Sequence, residues 1–201
     1  MEIEYKYQLE NAEQGKRIIA DLHEKQPEII GSEREIEMVS TYFDSVSGSL
    51  SGAGYTLRLR RENDESVCCV KYDTEKRTDG LSRRIEHECM AKTVEDGIKV
   101  LSKLLREEFS TYCSEGLKPS AVMRFTRTAV ELVLKDMHCE LAFDRGFFGE
   151  GEKAQPFFEL EVEYKSGSTD TFAVLAKSIG ALYSLKPENR SKLARARLIC
   201  N

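Results

Sequence analysis

The sequence predicts an α+β fold, an eight-stranded antiparallel β-barrel with a charged lumen and helices packed outside. The first observation behind this is a recurring alternation. Residues 1–8, MEIEYKYQ, place Glu2, Glu4 and Lys6 on one parity and Ile3, Tyr5 and Tyr7 on the other. Successive side chains of a strand point to opposite faces, so the segment carries a charged face and an apolar one. Residues 157–164, FFELEVEY, set Glu159, Glu161 and Glu163 against Leu160, Val162 and Tyr164. Arg58 and Arg60 share a parity in residues 55–62, as do Glu86 and Glu88 in residues 84–88. Like charges two residues apart repel unless metal ions or opposite charges gather against them. Acidic and basic strands of this kind therefore point to a shared polar interior. The second observation is that no β-α-β unit repeats, and antiparallel strands need only hairpins between them. Apolar faces then turn outward and require amphipathic helices as cover.

The elements follow in order. After the first strand, Asn11 caps a helix, with Gln14 as its capping-box partner and Ile18, Ile19 and Leu22 as its apolar stripe. Pro27 ends it. Residues 33–44 form the second strand, closing on Tyr42-Phe43-Asp44. Residues 45–54, SVSGSLSGAG, lack the GxxxxGK[ST] pattern and read as a mobile connection, not a phosphate loop. Strands at 55–62, 66–73 and 82–90 are joined by a tight turn at Asn63-Asp64 and a longer loop at Asp79-Gly80. Thr93 caps a second helix with Ile98, Leu101, Leu104 and Leu105 at helical spacing. Strands at about 120–127, 129–135 and 138–144 form a meander, and the acidic strand 157–164 ends at Gly167. A third helix runs from about Ser168 to Tyr183, with Phe172, Leu175, Ile179 and Leu182 buried. Pro187 breaks it. Residues 189–197, NRSKLARAR, read as a short basic helix over one tunnel mouth, acting as a substrate gate and not as core. The count is about eight strands and four helices.

Composition bounds the function. The 201 residues suit one good-sized domain, read as 1–201, and no further helical-bundle domain is expected after it. Charged residues make up 32% and the net charge is −5, which argues against nucleic acid and anionic membranes as main partners. No apolar run approaches the roughly 18 residues needed to span a bilayer, and the N-terminus lacks a signal-peptide core. The six cysteines include no CxxC pair, fit neither a zinc site nor a secreted disulfide framework, and read as reduced thiols in a cytoplasmic protein. The three histidines form no spaced ligand set. No Ser-His-Asp or Cys-His set supports a covalent intermediate.

On the barrel reading the lumen receives Glu2, Glu4, Glu86, Glu88, Asp144, Glu159, Glu161 and Glu163 as acids. Lys6, Arg58, Arg60, Lys71, Arg124 and Lys192 supply the bases, while Arg127 has the wrong parity relative to Arg124 and faces outward. Hard oxygen clusters suit Mg²⁺ or Mn²⁺, and Arg and Lys suit phosphate oxygens. A metal–polyphosphate complex needs both. Exposed strand faces with cross-strand salt bridges are the structural alternative.

The ordered set Glu2-Ile3-Glu4-Tyr5-Lys6, Tyr42-Phe43-Asp44, Leu57-Arg58-Leu59-Arg60, Lys71 and Glu86-His87-Glu88 runs over the first half. Arg124, Phe143-Asp144-Arg145-Gly146, Glu159-Leu160-Glu161-Val162-Glu163 and Ser191-Lys192 continue it. This set resembles the CYTH, or triphosphate tunnel metalloenzyme, superfamily, whose signature begins ExExK. The resemblance implies an eight-stranded tunnel that binds a triphosphate with Mg²⁺ or Mn²⁺. It implies a catalytic set of Glu2, Glu4, Lys6 and Glu161, and metal ligands among Glu2, Glu4, Asp144, Glu159, Glu161 and Glu163. Phosphates would be gripped by Lys6, Arg58, Arg60, Lys71, Arg124 and Lys192, with Glu86 and Glu88 as further candidates. Which two of the three glutamates on the acidic strand form the family's pair is left open. The expected activity is metal-dependent hydrolysis of a triphosphate-containing small molecule, inorganic triphosphate first. A thiamine triphosphatase, a class IV adenylate cyclase and a non-catalytic polyphosphate- or nucleotide-binding barrel are the alternatives. Oligomeric state is not legible.

Overall fold

The computed structural model describes residues 1–73 and 79–200, and its strands close on themselves as the alternation predicts. In chain order the elements are β1 (Glu2–Gln8), α1 (Ala12–Lys25), β2 (Ile30–Ser45), α2 (Ser49–Gly52), β3 (Tyr55–Glu62), β4 (Glu65–Asp73) and β5 (Leu81–Met90). There follow α3 (Val94–Leu101), α4 (Glu107–Ser114), β6 (Leu117–Val133), β7 (Met137–Phe148), β8 (Gln155–Gly167), α5 (Thr169–Leu182), β9 (Lys186–Pro187) and α6 (Lys192–Cys200). The sheet order is β5-β4-β3-β2-β6-β7-β8-β1, and β1 pairs β5 to close an eight-stranded antiparallel barrel. The short β9 continues the β5 edge along β1, opposite Tyr7 and Gln8. The loop predicted around Asp79-Gly80 begins outside the described residues.

Register settles which parity faces in. Glu4 lies opposite Glu163, Lys6 opposite Glu161 and Gln8 opposite Glu159, so the charged parities of β1 and β8 share one face. The other face is apolar. Ile3, Tyr5, Leu141, Phe143, Leu160 and Val162 pack outward against α1 and α5 through Ile18, Leu22, Phe172 and Ile179. Gly15 of α1 lies so close to the wall that a Cβ there would meet the Phe143 ring at 2.4 Å. A second outer cluster joins Leu57, Cys68 and Val70 of β3 and β4 to Leu50, Val94, Leu101 and Phe109 of α2, α3 and α4. Most of the hydrophobic burial therefore lies outside the barrel wall.

Four elements differ from the sequence reading. The strands expected at 120–127 and 129–135 are one strand, β6, because Thr126 to Ala129 holds no Gly, Pro, Asn or Asp to turn the chain. The helical stripe after Thr93 stops at Leu101, leaves Leu104 exposed, and resumes as α4, which buries Phe109 instead. The Gly/Ser stretch contains α2, fixed because Leu50 is fully buried and the Asp44 carboxylate accepts hydrogen bonds from Ser45 N, Ser51 N and Ser51 Oγ. Leu182 is exposed, since Gly180 rather than Leu182 meets the wall at Tyr7.

The largest correction concerns α6. The helix is core, with Leu193 and Ala196 packed among the lumen-facing Met38, Met123, Phe125, Phe148 and Phe157. It fills one end of the barrel, so a gate that could be removed without harm to the fold is not what the structure contains. Among the described residues, no helix is long and apolar enough to cross a membrane.

Candidate active site

A cavity of about 230 Å³ occupies the lumen, and all eight barrel strands together with α6 contribute lining side chains. Nine basic and eight acidic side chains line it among the described residues. They sort into three groups along the wall.

The first group sits where β1 meets β4 and β5. Lys71 Nζ lies 2.6 Å from Glu2 and 3.0 Å from Glu86. Arg84 reaches Glu2 at 3.0 Å and Glu4 at 2.8 Å, and Lys6 reaches Glu4 at 3.1 Å. Burial alone would raise the Glu4 carboxyl, but Lys6, Arg84 and Lys71 outweigh burial and the neighbouring Glu161 and bring it down to about 2. Glu86 falls to about 2 as well, because Lys71, the Cys69 thiol and Arg58 overcome its burial.

The second group lies against α6. Asp144, Glu159 and Glu161 are buried, and each offers an oxygen within 4.8 Å of the others. Lys192 Nζ stands among all three, 2.8 Å from Asp144 and 2.8 Å from Glu161 and in direct contact with Glu159. Arg195 also contacts Glu159, while its guanidinium lies 5.1 Å from the Phe148 ring centre. Arg127 holds Asp144 through two hydrogen bonds, of 2.7 and 2.8 Å, and Glu161 through one of 2.6 Å. Burial opposes ionisation of Glu161, yet Lys192, Arg127 and Lys6 hold it well below the usual carboxylate range. Lys6 Nζ, 3.7 Å from Glu161, links this group to the first.

The third group is Arg58 and Arg60 on β3. Arg60 contacts Glu62 and lies 4.0 Å from Glu88. Arg58 is buried, and its Nε and Nη2 have no hydrogen-bond partner. Its burial disfavours charge, but Tyr42, Cys69 and Glu86 raise its pKa overall. An unpaired buried donor is costly, so this guanidinium calls for an anionic partner in the cavity.

The structure brings Glu2, Glu4, Lys6, Arg58, Arg60, Lys71, Glu86, Glu88, Glu161, Glu163 and Lys192 to one cavity. Asp144 and Glu159 stand directly behind it through Lys192. Glu159 and Glu161 join Asp144, whereas Glu163 pairs with Lys165 at 2.8 Å. Arg124 is the exception and is corrected. It lies outside the barrel, exposed and paired with Glu150 at 2.8 Å, while Arg127 faces in. The parity was misread for a physical reason. Next to α6 the lumen is filled by apolar side chains, among them Met123 and Phe125 on β6, so there the apolar parity points inward.

Sequence reasoning also missed Arg84, Arg127, Arg34 and Arg195. Arg84 shares a parity with Glu86 and Glu88, a signal that was present. Arg195 follows Lys192 by three residues, one helical turn. Arg34, which reaches Glu140 at 2.5 Å, stands among alternating glutamates and carried no comparable signal.

The ion pairs make acid stability predictable. A carboxyl held lower in the folded than in the unfolded state stabilises the protein above its unfolded value, and that contribution is lost as pH falls through the folded value. For Glu4 and Glu86 this window runs from about 4.5 down to about 2. Melting temperature should therefore decline steeply below pH 4.5, and Glu4→Gln should flatten the slope in thermal melts. An unchanged slope in that variant would remove Glu4 from the network.

The CYTH domain family model matches residues 1–196. An inorganic triphosphatase of Haemophilus influenzae is 30% identical over 129 residues, covering 64% of this chain and 36% of that protein. The chain thus spans about a third of that relative's length. Among solved structures, a Hippeastrum protein described as an adenylyl cyclase with a dominant triphosphatase activity is similar at a TM-score of 0.71 and 19% identity, covering 98% of this chain and 96% of that one. A Bacillus halodurans protein described as a candidate adenylate cyclase is similar at a TM-score of 0.62 and 18% identity, covering 97% of this chain and 96% of that one. Both structural likenesses bear on the fold alone.

Proposed function

Since the chain belongs to the CYTH domain family, we propose that residues 1–201 act as one such domain and hydrolyse a triphosphate inside the barrel, with inorganic triphosphate as first substrate. The observation that best supports this is Arg58, a buried guanidinium that lines the cavity and leaves two nitrogens without a hydrogen-bond partner. The triphosphatase relative supports the same reading.

The donor set of Asp144, Glu159 and Glu161 is all carboxylate oxygen, which fits Mg²⁺ or Mn²⁺, and an ion entering it would take the place that Lys192 Nζ holds among the three. A divalent ion bound there would supply charge compensation for phosphate oxygens. The chain's own residues do the rest. Arg58 and Arg60 grip one end of the polyphosphate, where two Arg58 nitrogens are without a hydrogen-bond partner. Lys71, Arg84 and Lys6 sit on carboxylates that hold them in place, so they meet the substrate already oriented. Glu161, kept ionised, accepts a hydrogen bond from the attacking water. Phosphoryl transfer needs mainly alignment and charge stabilisation, and this arrangement supplies both.

The test is phosphate release from inorganic triphosphate, ATP and thiamine triphosphate, side by side, with Mg²⁺ and with Mn²⁺. Preferred cleavage of inorganic triphosphate supports the reading. Cyclic AMP from ATP would move the protein to the cyclases, preference for thiamine triphosphate to the thiamine triphosphatases, and binding without turnover to non-catalytic binders. Arg58→Ala should weaken triphosphate binding by about 30-fold or more, equivalent to roughly 2–5 kcal/mol for a buried charged contact. Calorimetric titration checks this, and unchanged affinity would place Arg58 outside the substrate site.

A further inference from the structure

Cys68 and Cys89 stand directly opposite each other where β4 pairs with β5. Both lie on the outer face of the barrel. Cys68 is fully buried in the cluster under α3, and Cys89 is half-buried against the same cluster. Both are free thiols. The register defines their separation. Ala91 N donates to Ser66 O at 3.0 Å, so residues 66 and 91 form a hydrogen-bonded pair of the ladder. Such pairs alternate along an antiparallel ladder, which makes Cys68 and Cys89 the next hydrogen-bonded pair, with Cα atoms about 5.5 Å apart. That distance lies inside the window of roughly 4.4–6.8 Å that a disulfide requires between Cα atoms, while the Cβ atoms of such a pair, about 5 Å apart, must draw together to roughly 3.5–4.5 Å as the bond closes.

Gly97 of α3 lies over this pair. A Cβ at Gly97 would come within 2.3 Å of Cys68 Sγ, and Cys89 Sγ lies 3.7 Å from the Gly97 carbonyl. The helix thus presents only backbone above the two sulfurs. The other cysteines are placed differently. Cys69 points into the lumen, where its thiol donates to Glu86, and Cys139 is sealed under α1 and α5, while Cys113 of α4 is half-buried against the same cluster as Cys68 but not opposite Cys68 in the ladder.

We propose that Cys68 and Cys89 are a site of covalent modification, closing to a cross-strand disulfide when the protein meets a small-molecule disulfide. The half-buried Cys89 reacts first. Burial raises both thiols, Cys68 to about 12, so the reaction draws on the thiolate that mildly alkaline solution supplies: the Cys89 thiolate attacks one sulfur of the small disulfide, and one small thiolate leaves. The Cys68 thiolate then attacks the Cys89 sulfur, forming the protein disulfide and expelling the second small thiolate. The two protein thiol protons pass to the two leaving thiolates. The pair loses two electrons, and the small disulfide gains them.

The full chain incubated with oxidised glutathione under native conditions tests this, followed by alkylation and peptide mapping. The expected product is a peptide pair linking Cys68 to Cys89, with two of the six thiols lost and no net mass of glutathione retained. In Cys68→Ser, glutathione should remain bound at Cys89, since the second step is gone. In Cys89→Ser, which alters the half-buried partner, Cys68 should stay unmodified. Recovery of all six thiols after incubation, or linkage of either cysteine to a different partner, would overturn the proposal. Activity is not the readout, so failure here and failure of the triphosphatase reading are separate results.

Discussion

Lys192→Met should lower stability by about 3–5 kcal/mol, because it strips the shared cation from three buried carboxylates. Asp144 and Glu159 are fully buried, and Lys192 contacts both of them and Glu161. Methionine keeps most of the side-chain volume, so the loss reports charge and not packing. Arg127 still contacts Asp144 and Glu161 and Arg195 still contacts Glu159, so each carboxylate keeps a partner while three negative charges share two cations. The carboxylates left behind should take up protons more readily, so the deficit should shrink as pH is lowered toward 4. Urea denaturation of both proteins at pH 7.5 and pH 4.5 measures this. A loss under about 1 kcal/mol at both values would mean that Lys192 is not the shared cation of this group.

Truncation after Pro187 should abolish cooperative unfolding of the barrel. The deletion removes Leu193 and Ala196 from the apolar end of the lumen and opens Phe125, Phe148 and Phe157 to water. Loss of one Leu-sized buried side chain costs about 2–5 kcal/mol. Loss of both Lys192 and Arg195 from the acid group adds a comparable amount. Together these reach the whole stability of a typical domain, about 5–15 kcal/mol. Near-ultraviolet circular dichroism and a urea titration of the truncated chain should show lost tertiary signal and no sharp transition. A truncated protein that melted within a few degrees of the full chain would return α6 to the outside of the barrel, as a removable gate.

These two expectations share an origin. Residues 189–197 carry four bases and few apolar residues, so read alone they describe a solvated or substrate-facing helix. Their burial follows from partners remote in sequence, because Asp144, Glu159 and Glu161 gather at one end of the lumen and require cations there. A buried carboxylate must be paired or protonated, and α6 supplies Lys192 and Arg195 for that purpose. Electrostatics, with a small apolar contribution from Leu193 and Ala196, places this helix.

By itself, the sequence determined the barrel, its inverted wall and most of the charged cavity. The period-2 alternation of β1, β3, β5 and β8 is a local property, and it assigns the charges on those strands, Arg61 and Arg83 excepted, to one face without knowledge of strand order. The caps at Asn11 and Thr93 are local as well, and each accepts the expected backbone hydrogen bond. Only the tertiary structure decided the parity of β6, since Phe125 and Arg127 face inward for reasons that lie on α6, β7 and β8. It alone decided which glutamates of β8 stand together, because that depends on the register that sets Asp144 opposite Glu159. Alternation tells which side a residue occupies. What waits on that side is set by elements that the chain reaches only after folding.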